Sequence, residues 1–152
     1  MKLKPEKFVI VAAAAEGGHS LTAFDSALLK AGIGNINLVR LSSILPAACR
    51  EEKEDIDFPP GAFVPTAYGA ICSEKEGELI SAAVGVGFTP DSFGVIMEHA
   101  GTCTAEESRT KVEEMIKEAF HNRKLELRDV QFKSVEHRVK KNGAAIAAVA
   151  LW

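Results

Sequence analysis

The chain has 152 residues, a net charge of −3, and 47% hydrophobic against 26% charged residues, the balance of one ordinary globular domain with enough chain to bury a core. With a pI near 5.8 there is no basic stripe to track a phosphate backbone, so nucleic acid is not expected as a partner. No apolar run reaches membrane-spanning length, and Met1–Glu6 is too short and too charged to head a signal peptide, which points to a cytoplasmic protein with no membrane contact. Cys49, Cys72 and Cys103 are odd in number and widely spaced, which argues against a disulfide framework or a zinc site; they are expected to be reduced.

In chain order, Phe8–Ala15 is a run of Val, Ile and Ala suited to a strand buried on both faces or packed at a subunit contact. Leu21–Ala31 puts Leu21, Phe24 and Leu28 on one helical face, with Ser20 as N-cap and Gly32 where the helix stops. Asn35–Leu41 alternates Asn35, Asn37, Val39 and Leu41 against Ile36, Leu38 and Arg40, a strand pattern. Cys49–Pro60 is charged and ends in Pro59-Pro60, so it is expected to be a polar surface loop and the most mobile stretch. Strands follow at Ala62–Ser73, Glu78–Phe88 and Phe93–Ala100, separated by E-K-E-G and T-P-D turn signals.

Thr104 to Glu107 has the spacing of a capping box, and Val112, Met115, Ile116, Ala119 and Phe120 behind it form a stripe with the 3.6-residue period. Glu107 with Lys111 and Glu113 with Lys117 are favourable i,i+4 pairs on its wet face. Beyond this helix Val130, Phe132 and Ser134 alternate, and Asn142-Gly143 between that run and Ala144–Trp152 signals a hairpin. The order β-α-β-β-β-β-α-β-β describes one α+β domain over residues 1–152, with helices covering a mostly antiparallel sheet system.

The chemistry concentrates in Asn35–Pro46, N-I-N-L-V-R-L-S-S-I-L-P, where a strand ends on adjacent Ser42 and Ser43. A hydroxyl following a rigidly held carbonyl can attack it, so a Ser-Ser pair at a strand end is a candidate for self-cleavage. Elsewhere the signals are weak. Gly32-Ile33-Gly34 lacks the third glycine of a dinucleotide fingerprint, and His19, His99, His121 and His137 show no metal-ligand spacing.

Several long words, L-T-A-F-D-S-A-L-L-K-A at Leu21–Ala31, G-I-G-N-I-N-L-V-R-L-S-S-I-L-P at Gly32–Pro46, G-A-F-V-P-T-A-Y-G-A at Gly61–Ala70, G-E-L-I-S-A-A at Gly77–Ala83, G-V-I-M-E-H-A-G at Gly94–Gly101, V-E-H at Val135–His137 and the closing A-L-W at Ala150–Trp152, resemble the pyruvoyl-dependent arginine decarboxylases nearly from end to end and in order. The resemblance implies a four-layer α-β-β-α sandwich, mostly antiparallel in its sheets and assembled as a trimer of processed subunits. It implies decarboxylation of L-arginine to agmatine and CO2, in polyamine biosynthesis or arginine-dependent acid resistance. The cofactor would be a covalent pyruvoyl group made from Ser43, with neither pyridoxal phosphate nor metal.

Such a group answers a chemical need. The α-carboxylate of an amino acid leaves as CO2 only if its electrons have somewhere to go, and no ordinary side chain offers a carbonyl that can form a Schiff base and accept them. In the implied processing, the Ser43 hydroxyl attacks the Ser42 carbonyl, and the ester eliminates to dehydroalanine. Tautomerisation and loss of ammonia leave a β chain of residues 1–42 and an α chain of 43–152. Asn37 matches the asparagine associated with processing, whose amide can steady the attacked carbonyl. Six residues of extended strand span roughly 20 Å, so Asn37 is expected to act on the Ser42-Ser43 bond of a neighbouring subunit.

Glu98 matches the family's proton donor, which returns a proton to Cα after CO2 departs. On a strand it shares a face with Gly94, Ile96 and Ala100, apolar neighbours that raise a carboxyl pKa toward that of a useful general acid. Asp25 matches the position that meets the substrate's guanidinium, whose planar fork a carboxylate accepts with two parallel hydrogen bonds. Ile44, next to the modified serine, is expected to line the pocket. Ala47–Phe58 is more acidic than the family pattern and carries an unexpected cysteine. Other amino-acid decarboxylases use the same pyruvoyl chemistry, so another amino acid as substrate and an unprocessed, noncatalytic, amine-binding trimer are the alternatives.

Overall fold

The computed structural model describes residues 4–53 and 56–152. Two helices and two mostly antiparallel sheets make an α+β fold compatible with the expected sandwich. The elements are β1 Lys7–Glu16, α1 Ser20–Lys30, β2 Asn37–Arg40, β3 Ile44–Leu45, β4 Arg50–Glu51, β5 Phe63–Ser73, β6 Leu79–Phe88, β7 Gly94–Gly101, α2 Ala105–Arg123, β8 Asp129–Arg138 and β9 Gly143–Leu151. The first sheet runs β2-β5-β9-β1-β4 and the second β3-β7-β6-β8. Among the described residues, only the pairs β1/β4 and β2/β5 are parallel.

Burial follows strand alternation. On β9, Ala145, Ala147, Val149 and Leu151 face the space between the sheets, with Val84, Val86 and Ile96 of the second sheet in the same cluster. Ala144, Ile146 and Ala148 face the opposite way, against Ala23, Ala27 and Leu28 of α1. Helix α2 packs Val112, Ile116 and Phe120 on the far side of the second sheet. There two glycines matter: a Cβ on Gly85 would lie 2.7 Å from Val112 Cγ1, and one on Gly87 2.6 Å from Ile116 Cγ2. Bare backbone at these two sites lets the helix sit directly on the strand.

The structure corrects several expectations. Ser20 is the first helical residue and not the cap. His19 holds the cap position, its N–H donating to Thr22 Oγ1 at 3.1 Å, and Ser20 Oγ donates to Glu74 at 3.1 Å. Leu21 is 76% exposed, because α1 chooses its inner face by the small Ala23 and Ala27, which admit β9 closely. Glu107 closes the capping box with Thr104 at 2.8 and 3.1 Å and leaves Lys111 to Glu114, 3.8 Å away, whereas Glu113 and Lys117 pair at 2.9 Å. The expected loop Cys49–Pro60 begins with β4, paired to β1; its residues 54 and 55, like residues 1–3 of the charged N-terminus, lie outside the described residues.

The Asn142-Gly143 hairpin is the largest revision. Strands β8 and β9 belong to different sheets, and the turn carries the chain from one to the other. Neither residue takes the positive φ that a type I′ turn requires. Asn142 is buried instead, its amide donating to the carbonyls of Gly17 and Gly18 at 3.3 and 3.2 Å.

Candidate active site

Ser42 and Ser43 lie where the chain steps from β2 in the first sheet to β3 in the second. The step is held from both sides. Leu41 N–H donates to the Thr66 carbonyl of β5 at 3.2 Å, and Ile96 N–H of β7 donates to the Ser43 carbonyl at 2.7 Å. Ser42 is exposed and Ser43 partly buried, so the bond between them is accessible while its flanks are fixed.

The β3/β7 register, Ile44 to Val95 and Leu45 to Gly94, sets Ser43 beside Ile96. Glu98 follows two residues later on the same face of β7, roughly 7 Å along the strand. As expected, Ile96 and Ala100 on that face belong to the cluster between the sheets. Glu98 reaches across to the first sheet: a Cβ on Gly69 of β5 would lie 3.3 and 3.4 Å from Glu98 Cβ and Cγ. Burial in this apolar layer holds the Glu98 carboxyl above the usual carboxylate range, with the Arg40 charge acting in the opposite direction.

His99 points the other way. Its Nδ1 lies 2.9 Å from Ser108 Oγ of α2. Ser81 Oγ lies 3.0 Å from the Thr104 carbonyl and 2.7 Å from Ser108 Oγ, and Cys103 Sγ is 3.3 Å from both serines, so His99 joins a hydroxyl and thiol network on the side of the sheet away from Glu98.

Of the other expected site residues, one adjoins this group and two stand apart from it. Ile44 is 40% exposed beside Ser43. Asn37 lies at the opposite end of β2, paired with Phe63, its amide donating to the Gly61 carbonyl at 3.0 Å. Asp25 is exposed on α1, which covers the outer face of the first sheet. Within one chain Ser43 and Glu98 are therefore brought to one face, Ile44 adjoins Ser43 on the opposite face beside Val95, and Asn37 and Asp25 are apart. No cluster of three or more His, Cys, Asp or Glu with metal-binding geometry occurs among the described residues.

The pyruvoyl-dependent arginine decarboxylase family model matches residues 7–152. The chain belongs to this family. The pyruvoyl-dependent arginine decarboxylase of Methanocaldococcus jannaschii is 47% identical over 153 residues, covering 97% of this chain and 90% of the relative. Those of Pyrococcus abyssi and Thermococcus kodakarensis are each 46% identical, covering 97% of this chain and 96% of the relative.

Membership in the pyruvoyl-dependent family implies a covalent pyruvoyl group, and the surroundings of Ser43 fit its formation: a partly buried hydroxyl, an exposed preceding bond, and a chain pinned at Leu41 and Ser43. Two neighbours of Glu98 are missed by reading the sequence. Gly69 approaches it from β5, and Arg40, whose charge bears on it, holds its guanidinium 4.1 Å above the centroid of the Tyr68 ring next to Gly69 in sequence. Only A-Y-G inside a strand pattern hinted at them, since a strand glycine marks a close approach.

Proposed function

We propose that this chain cleaves itself between Ser42 and Ser43 and decarboxylates L-arginine to agmatine and CO2 in the cytoplasm. The observation carrying this reading is the Ser42–Ser43 crossing between the sheets with Glu98 two residues beyond its β7 neighbour, in a member of the family. The Ser43 hydroxyl attacks the Ser42 carbonyl, forming an ester as the peptide bond breaks. Loss of the Ser43 Cα proton expels the Ser42 carboxylate and leaves dehydroalanine, which tautomerises and takes up water to release ammonia. The pyruvoyl group so formed supplies the carbonyl that accepts electrons as CO2 leaves.

The chain's own residues do the rest. Asp25 accepts the substrate guanidinium, Ile44 lines the pocket, and Glu98, its carboxyl pKa raised by burial in the apolar layer, returns a proton to Cα. Asn37 steadies the attacked carbonyl of a neighbouring copy. That division needs assembly as a trimer or a multiple of it. Its support is the separation of Asn37 and Asp25 from Ser43, together with the exposure of Phe63, Val39 and Ile44, 79%, 47% and 40%, large apolar groups spread along the β2 edge and the crossing that a second copy would cover.

The test is denaturing mass spectrometry together with an agmatine assay on the purified protein. Two chains split after Ser42 and arginine turnover without added pyridoxal phosphate are expected. An intact 16.3 kDa chain after long incubation overturns the reading.

A further inference from the structure

Glycine in the middle of a paired strand weakens it and is retained where something approaches closely. Gly69 is such a residue. It sits within β5, paired with Ala147 of β9, and its φ is not positive, so backbone conformation does not explain it. Proximity does. A Cβ there would meet Glu98 Cβ at 3.3 Å, Glu98 Cγ at 3.4 Å and the His99 carbonyl carbon at 3.4 Å. These contacts are tight without being impossible, so an added methyl would move the glutamate by a few tenths of an ångström and spare the fold. Glu98 has little freedom to yield along β7, because its strand neighbour His99 is tied to Ser108 on the far side at 2.9 Å and β7 is paired to β6 from Ser81/Gly101 to Gly87/Val95.

We propose that Gly69 is a positioning residue: the missing side chain leaves the space in which the Glu98 stem lies against the first sheet, and so fixes where its carboxyl is presented relative to Ser43. The inference rests on the reading of Glu98 as proton donor. It adds that β5 contributes to the reaction without touching substrate. The identity of residue 69 sets the reach of the acid just as the register of β3 on β7 sets the place of Ser43.

The experiment uses the full processed protein. In Gly69→Ala, chain splitting and KM for arginine should stay near wild type while kcat falls about ten-fold or more, since small misplacements of catalytic groups are costly. The limb of the kcat pH profile in which turnover falls as the acid loses its proton should move toward lower pH, as the displaced carboxyl leaves its apolar bed. The charged group bearing on Glu98, Arg40, is unchanged in this variant. In a Glu98→Gln background the same Gly69→Ala change should lower kcat no further. Normal kcat and an unmoved pH limb in Gly69→Ala, with Glu98→Gln inactive, overturn the inference alone; normal kcat in Glu98→Gln overturns the reading beneath it. Should Gly69→Ala not fold, Glu98→Asp decides the matter: it withdraws the carboxyl by one methylene, a large loss of kcat is expected, and full activity would show that carboxyl position is immaterial.

Discussion

The N–H of Ile96 donates to the carbonyl of Ser43 at 2.7 Å, joining the strand that bears Glu98 to the residue just after the bond proposed for cleavage. This one contact makes the position of Ser43 a property of the second sheet, although Leu41, two residues earlier, is held by the first. Ser43→Ala keeps the backbone and removes the nucleophile, so its chain should remain whole while adopting the same fold. Mass spectrometry and circular dichroism test this; cleavage in the alanine variant would place the nucleophile elsewhere.

Asn37 stands at the far end of β2 from the crossing, so its partner is expected in another copy. Co-refolding Asn37→Ala with Ser43→Ala chains should restore processing of the former, because their intact Ser43 meets Asn37 from a neighbour. Mixed assemblies that split no faster than Asn37→Ala alone would show that the asparagine serves its own chain.

Glu98 carries a cost in stability. Its folded pKa is raised by burial, so its favourable contribution is full below the unfolded carboxylate pKa and is lost as pH rises through the folded value. Glu98→Gln should therefore raise Tm at neutral pH, an advantage that disappears in acid, while turnover falls about 10²-fold or more and chain splitting persists. A variant with lower Tm and normal kcat contradicts both halves.

A second carboxylate has the opposite sign. Burial tends to raise the pKa of Glu16, but the Lys141 N–H, the His137 ring at 2.5 Å and the Lys140 N–H together outweigh it and hold the carboxyl below its usual range. The stability it contributes is present above the unfolded pKa and lost as pH falls through the folded one. Urea midpoints of wild type and Glu16→Gln should thus differ at neutral pH and converge in strong acid. Because Glu16 ends β1 and His137 belongs to β8, that difference measures a tie between the two sheets.

Gly85 beneath α2 tests packing away from the site. Its Ala variant would press on Val112 Cγ1 at 2.7 Å and on Ile116 Cδ1 and Phe132 Cδ1, both at 2.9 Å, and overpacking of this kind costs about 1–3 kcal/mol. Denaturant titration should show that loss with KM for arginine unchanged.

Where local chemistry decided the structure, the sequence was legible. The Thr104–Glu107 capping box and the Val112–Ile116–Phe120 stripe appear as expected, and the face of Glu98 followed from period two alone. Where long-range partners decided, it was not. Nothing in I-L-P marks β3, two residues long, as a strand of the second sheet; the pairing with β7 makes it one. Leu21 had the size of a core residue, but the alanines of β9 selected Ala23 and Ala27 for contact. Asn142-Gly143 has hairpin chemistry, yet burial of the Asn142 amide on Gly17 and Gly18 uses it to change sheets. Gly69 was invisible as a partner of Glu98 because the two meet across the sandwich.

The order of strands in the first sheet also fixes what a cut after Ser42 leaves behind. Strands β1 and β2 belong to the short product, β5, β9 and β4 to the long one, and they interleave as β2-β5-β9-β1-β4. Nine residue pairs join β1 to β9 and four join β2 to β5, so the two pieces are woven through one another and come apart only by dismantling the sheet. A chain cut there would be a heterodimer held by backbone pairing from the moment it is made.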